Sequence, residues 1–318
     1  MMSLRALIAC PHLQRNLATF IPRFSELGIE VEAPPVEQQL SEDYLLANID
    51  RFDGVVAGDD PFTAAVIERA GRLKIIAKWG IGVDNIDLEA AQRRGIAVVN
   101  TPGQLSGEVA DVVIGYTIML ARKLHLIDES VRRGEWAQIR GISLAGKTMG
   151  IVGLGAIGTA VARRAIGHEM TVLGCDPYAA GREDLRELGV SIVSLPGLLQ
   201  GSDFVSLNSA LTPETAGLMG REQFALMRRG SYLINTSRGA LVDEVALVGA
   251  LHDGTLAGAA LDVFEVEPLP AESPLRQLSQ CIFGSHNSSN TQDAVDRINA
   301  LAVANLLDGI VGRQAWVA

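Results

Sequence analysis

Apolar residues fall in short runs along this chain, separated by longer segments in which they recur every third or fourth position. Runs at 6–9, 29–31, 54–57, 73–77 and 96–99 have strand length. The stretches between them are long enough for helices, which is the pattern of parallel βαβ units. They predict a small sheet of about five strands. The alternation resumes at 148–152, 170–175, 191–193, 204–207, 232–235, 258–263 and 280–283 and predicts a second, doubly wound parallel sheet. Between the two sets, Asn100, Thr101, Pro102 and Gly103 mark a break. Ser106 is placed to cap a helix running to about Arg122, with Val109, Val112, Val113, Tyr116 and Leu120 on its apolar side. Residues 132–136 read as a polar loop leading back to the strand at 148–152. A last helical stripe at 292–307 carries Val295, Ile298, Leu301, Ala302 and Leu306, with Asn290 or Thr291 as cap and Gly309 as stop. A helix with one apolar stripe needs a partner. We expect it to return to the first domain, so that the chain crosses between two domains twice with a cleft at the crossings.

The strand at 148–152 runs directly into Gly153, Gly155 and Gly158, and a helical segment follows. On this spacing the first glycine allows a tight turn, the second lets a pyrophosphate approach the backbone, and the third lets helix and strand pack closely. The helix start then offers free N–H groups to the phosphates. The next strand delivers Asp176 at the ~20-residue separation expected of an acid that binds the adenosine ribose. That carboxylate would repel a 2′-phosphate, and Pro177 and Tyr178 supply no cation, so NAD is expected over NADP. In the first half, Gly80, Ile81 and Gly82 follow a strand and can converge N–H groups on an anion; the plain alternative is an ordinary βα turn.

Composition narrows the picture. The 318 residues are long enough for two filled cores, and 48% hydrophobic with 20% charged residues excludes disorder. A net charge of −10 leaves no basic face for nucleic acid or anionic lipid. Cys10, Cys175 and Cys281 are far apart in apolar runs and read as buried thiols of a reducing compartment, and no metal site is suggested. The first apolar run is too short for a signal peptide, and no span is long enough to cross a membrane, so a cytoplasmic location is expected.

Arg238, Glu267 and His286 each follow a strand of the second set. Ligands of open parallel sheets bind outside the carboxyl ends of the strands. Hydride transfer to a carbonyl beside a nicotinamide requires such a set. The arginine can hold a substrate carboxylate, the imidazole can protonate the developing alkoxide, and the acid can keep that imidazole charged. Taken singly, each has a plain reading as a surface or loop residue.

From end to end the chain resembles the D-isomer-specific 2-hydroxyacid dehydrogenases, nearest their phosphoglycerate dehydrogenase branch. The matching stretches are residues 80–87, Asn100-Thr101-Pro102, the glycine motif at 153–158, residues 235–239, Leu261-Asp262-Val263-Phe264 leading to Glu267-Pro268, and His286 ahead of Thr291. The resemblance implies a flavodoxin-like substrate domain at 1–99, completed by 291–318, and a Rossmann NAD-binding domain at 100–290. It implies that Arg238, Glu267 and His286 are catalytic, that Gly80, Ile81 and Gly82 lie with Arg238 against the substrate carboxylate, and that Asp262 bonds the nicotinamide amide. Ala156, Ile157, Asp176, Ser209 and Thr236 would contact NAD, and a homodimer would form through the NAD-binding domain.

Departures from the family pattern bear on cofactor and substrate. Asn208-Ser209-Ala210 stands where members commonly have His and Pro, on the adenosine side of the cofactor site, and Asn287-Ser288-Ser289 stands where many have a glycine pair, which bears on the substrate. No regulatory module follows in the sequence, so inhibition by serine at such a module is not expected. Loop 57–61 carries Asp59 and Asp60 where phosphoglycerate dehydrogenases often place arginine, with Lys78 as the nearby cation. An unphosphorylated 2-keto acid such as glyoxylate or hydroxypyruvate is therefore expected to be preferred, with Trp79 placed to cover an uncharged tail and a phosphoglycerate-like substrate as the alternative. The rival readings are a formate or phosphite dehydrogenase, which the carboxylate at Glu267 opposes, and a non-catalytic NAD-sensing protein of the same fold.

Overall fold

A computed structural model describes residues 3–312 of the chain. They divide into two compact units, one holding the described residues up to Leu105 together with those from Asn290, the other Ser106–Ser289. No helix among the described residues is long and apolar enough to cross a membrane.

In the first unit, β1 (Leu4–Ile8), β2 (Ile29–Glu32), β3 (Gly54–Ala57), β4 (Ile75–Lys78) and β5 (Ala97–Val99) form a parallel sheet of order β2-β1-β3-β4-β5. This is the flavodoxin-like order. β3 and β4 are buried throughout and read as continuous apolar runs, whereas the edge strand β2 alternates Ile29 and Val31 with Glu30 and Glu32. Leu7, Val55 and Ile76 pack with Phe52, Phe62 and Ile67 under one face of the sheet. The helix Gln292–Ile310 packs against β3 and β4. Thr291 caps this helix by accepting the Ala294 N–H at 3.1 Å. Gly309 lies inside the helix and does not stop it. A Cβ there would sit 2.3 Å from Ile75 Cδ1, so the glycine serves close approach of helix to strand. Residues 313–318, assigned to this domain from the sequence, lie outside the described range.

The second unit contains β6 (Thr148–Val152), β7 (Thr171–Cys175), β8 (Val190–Ile192), β9 (Phe204–Leu207), β10 (Ser231–Asn235), β11 (Leu256–Leu261) and β12 (Cys281–Phe283). Their order, β12-β11-β10-β9-β6-β7-β8, is the Rossmann order with a seventh parallel strand beyond it. Successive side chains feed opposite cores: Leu233 and Ala259 join one, Ile234 and Ala260 the other. Two local expectations change. Ser106 is the first residue of the helix Ser106–Arg122, and its buried Oγ has no hydrogen-bond partner, so it does not cap. A further helix, Leu124–Arg132, precedes the polar loop, set off from the first by Lys123 at φ +53°. Cys10 and Cys281 are buried, and desolvation pushes both thiols up to about 12, whereas Cys175 is only half-buried.

Candidate active site

The turn after β6 is built as the glycine spacing requires. Gly153 has φ +91°, and a Cβ on it would lie 2.7 Å from the Asn208 backbone. A Cβ on Gly158 would lie 1.9 Å from the Gly153 carbonyl oxygen. Gly155 faces open space at the start of the helix Ala156–Gly167, where Ala156 is exposed and Ile157 half-buried. Asp176, just past β7, accepts the Leu154 N–H on Oδ2 and the Tyr178 N–H on Oδ1, each at 2.7 Å, so the acid is pinned beside the turn. Ser209 Oγ, Thr236 Oγ1 and Asn208 Oδ1 are buried without hydrogen-bond partners. Leaving such oxygens unmet costs roughly 1–3 kcal/mol each, which a polar ligand offsets. An open glycine cradle, a fixed ribose-side acid and unmet oxygens from two further strand ends together fit a dinucleotide.

The expectation that no cation adjoins Asp176 does not hold. Arg182 lines an open depression of ≈ 430 Å³ with Gly155, Ala156, Thr159, Arg163 and Arg164. Arg182 is also paired to Asp184 at 2.6 Å, which tempers its field. Its place was illegible because the loop after β7 folds back toward the helix start.

Arg238, Glu267 and His286 follow β10, β11 and β12, which are neighbours in the sheet. His286 Nδ1 lies 2.8 Å from Glu267 Oε2, and Glu267 Oε1 accepts the Phe264 N–H at 3.0 Å. Both side chains are partly buried, at 32% and 20% exposure, so the pair is shielded and still reachable. The loop of Arg238 is braced by Asn235, whose Nδ2 donates to the Arg238 carbonyl and whose Oδ1 accepts the Ser237 N–H. Gly239 brings this loop against Phe264, where a Cβ would meet the backbone at 1.9 Å. Asp262, 2% exposed, receives three consecutive N–H groups: its carbonyl takes His286, Oδ1 takes Asn287 and Oδ2 takes Ser288. The Ser288 hydroxyl donates to the same Oδ2 at 2.5 Å. Ser288 was noticed only as a departure from the glycine pair, and its bond to Asp262 had no signal in the sequence.

Within the first unit, Gly80 adopts φ +108° after β4. Its N–H is donated to Thr101 Oγ1 at 2.9 Å, so it is not available to an anion. Among the described residues, the N–H groups of Ile81 and Gly82 meet no acceptor, and the anion-binding capacity of this turn contracts to those two. Lys78 is 2% exposed, donates to the Gly58 carbonyl and pairs with Asp59 Oδ1 at 3.0 Å. Asp60 is fully buried and accepts the Leu40 and Gly58 N–H groups, so it fastens its loop and repels nothing outside. Burial raises its carboxyl against those hydrogen bonds and the nearby Lys78. Trp79 is 8% exposed, bonds Asn299 Oδ1 at 2.8 Å and is stacked on His12 with ring centroids 4.5 Å apart. Its ring is therefore largely spoken for, and the expectation that it covers a substrate tail weakens accordingly.

Residues 114–288 match the family model described as D-isomer specific 2-hydroxyacid dehydrogenase, NAD binding domain. The chain is 42% identical over 284 residues to a glyoxylate reductase of Korarchaeum cryptofilum, covering 87% of this chain and 83% of that one. It is 38% identical over 294 residues to a D-3-phosphoglycerate dehydrogenase of Archaeoglobus fulgidus, covering 91% of this chain and 55% of that one, about half the relative's length. The structure of a D-lactate dehydrogenase of Aquifex aeolicus, solved with NAD and lactic acid, superposes with a TM-score of 0.87 at 27% identity, covering 97% and 96% of the two chains.

Proposed function

The chain belongs to the D-isomer-specific 2-hydroxyacid dehydrogenase family, and from that premise we propose that it interconverts small, unphosphorylated 2-keto acids and their D-2-hydroxy acids. The single observation that carries this reading is the His286–Glu267 pair at 2.8 Å, beyond the carboxyl ends of β11 and β12. A carboxylate at that distance favours the protonated ring, and with Nδ1 engaged, Nε2 is the nitrogen that presents a proton to the substrate carbonyl oxygen. NAD, when bound, supplies or accepts the hydride. Gly153, Gly155, Ala156, Ile157 and Gly158 would cradle its pyrophosphate, Asp176 its adenosine ribose, and Ser209, Thr236 and Asp262 would meet its remaining polar groups. Arg238 is assigned to the substrate carboxylate, for which its planar fork is suited. For the first unit, Ile81 and Gly82 are the N–H donors we assign to an anion.

The unphosphorylated substrate is supported by Lys78, whose charge is already met by Asp59 and the Gly58 carbonyl. We further place the enzyme in the cytoplasm, consistent with its three free cysteines, and as a homodimer formed through the dinucleotide-binding unit. Leu124, Val131, Trp136 and Ile142 supply exposed apolar surface there, with Trp136 81% exposed.

The test is NADH consumption with glyoxylate, hydroxypyruvate, pyruvate and 3-phosphohydroxypyruvate, run with the unaltered enzyme and with His286→Ala. Hydroxypyruvate or glyoxylate should have the highest kcat/KM, and His286→Ala should lose roughly 10²–10⁴-fold in kcat. NADH binding with no turnover of any keto acid would replace this reading with that of an NAD-sensing protein.

A further inference from the structure

His286 adopts φ +54°, a left-handed backbone conformation that non-glycine residues rarely hold. Such a conformation persists where its surroundings over-determine it. Here one residue does so: the carbonyl and both carboxylate oxygens of Asp262 bind the N–H groups of His286, Asn287 and Ser288 at 2.7, 3.1 and 2.8 Å. The carboxylate can occupy this position because residue 284 is glycine; a Cβ there would lie 1.9 Å from Asp262 Oδ1 and 2.6 Å from the Tyr116 hydroxyl. Tyr116 is in turn pushed up to about 12 by burial and by the Asp262 charge.

We propose that the Ser288 hydroxyl, through its 2.5 Å bond to Asp262 Oδ2, is a positioning group for His286. The proposal rests on the function assigned above. Ser288 is 6% exposed, and a hydroxyl donating to a buried carboxylate makes a short, charge-assisted bond. It is a side-chain donor among the bonds that tie this loop to Asp262, and it fixes the rotation of the carboxylate that the Asn287 and Ser288 N–H groups share, while the His286 N–H is held by the Asp262 carbonyl. Rotation of that carboxylate would lengthen the Asn287 and Ser288 bonds and leave the His286 N–H to hold the loop through the Asp262 carbonyl alone, which loosens the backbone that aims the imidazole at Glu267. At the position where many family members have glycine, this chain thus carries an added brace for the proton donor.

The experiment compares Ser288→Ala and Ser288→Thr. Ser288→Ala should lower kcat for keto-acid reduction by about tenfold, the scale of a small misplacement of a reacting group. Asp262 is itself assigned to NAD, so the NADH KM should rise as well, and kcat at saturating NADH reads the loss on the proton-transfer step. Ser288→Thr, which keeps the hydroxyl, should restore kcat. In proton NMR of the NAD-bound enzyme, the downfield His286 Nδ1–H resonance, identified by its loss in Glu267→Gln, should broaden or vanish in Ser288→Ala and return in Ser288→Thr. Unchanged kcat and an unchanged resonance in Ser288→Ala would overturn the proposal, as would loss of NADH affinity with kcat intact. The NMR reading needs no turnover, so it separates failure of this inference from failure of the assigned reaction.

Discussion

The Lys78 ammonium, 2% exposed, lies 3.0 Å from Asp59 Oδ1, so the cation of this loop pair is neutralised within its own unit. On the proposed preference for unphosphorylated substrates, breaking the pair should free a cation for a phosphate. Asp59→Asn keeps the shape and removes the charge. It should raise kcat/KM for 3-phosphohydroxypyruvate relative to hydroxypyruvate by about tenfold, equivalent to ~1.4 kcal/mol. An unchanged ratio in a side-by-side assay would show that Lys78 does not set this preference.

Glu267 holds His286 on one oxygen and the Phe264 N–H on the other, which fixes the carboxylate against rotation. In the proposed reaction keto-acid reduction uses the protonated imidazole, so its rate should be lost as pH rises and that proton leaves. Glu267→Gln removes the neighbouring charge that favours the protonated ring, and the alkaline limb of kcat/KM should move to lower pH. A profile that does not move would assign the limb to another group.

Much of this arrangement could be read from the residues alone. β10 and β11 are buried along nearly all their length, so the ends ahead of Arg238 and Glu267 were visible as the ends of apolar runs, and Asp176 directly follows the run 170–175. Other features arise from contacts distant in sequence. Nothing local says that Asp59 reaches Lys78, that Thr101 takes the Gly80 N–H, or that Arg182 comes back to the start of the helix Ala156–Gly167. The helix Leu124–Arg132 was missed because Leu124 and Val131 are 42% and 46% exposed, so its apolar positions do not mark a buried stripe. Gly309 has the composition of a helix stop and the role of a contact point.

That contact gives a stability prediction. Gly309→Ala should gain about 1 kcal/mol in helix propensity. Against that, it drives a methyl into Ile75, and overpacking of this kind costs roughly 1–3 kcal/mol. A net loss of about 1 kcal/mol is expected in urea unfolding. A stabilised variant would mean that Ile75 yields without strain.

The ribose-side role proposed for Asp176, with Arg182 nearby, gives a test of cofactor choice. The unaltered enzyme should use NADH with higher kcat/KM than NADPH. Asp176→Ala removes the repulsion while Arg182 remains, so the NADPH-to-NADH ratio should rise by about tenfold, or ~1.4 kcal/mol. Equal efficiency with both cofactors in the unaltered enzyme would contradict the role given to the acid.

Hydride transfer to one face of a 2-keto acid, as proposed, fixes the configuration of the product. Hydroxypyruvate reduced with excess NADH should yield D-glycerate alone on chiral chromatography. L-glycerate, a racemate, or no product from an enzyme shown to bind NADH would contradict it.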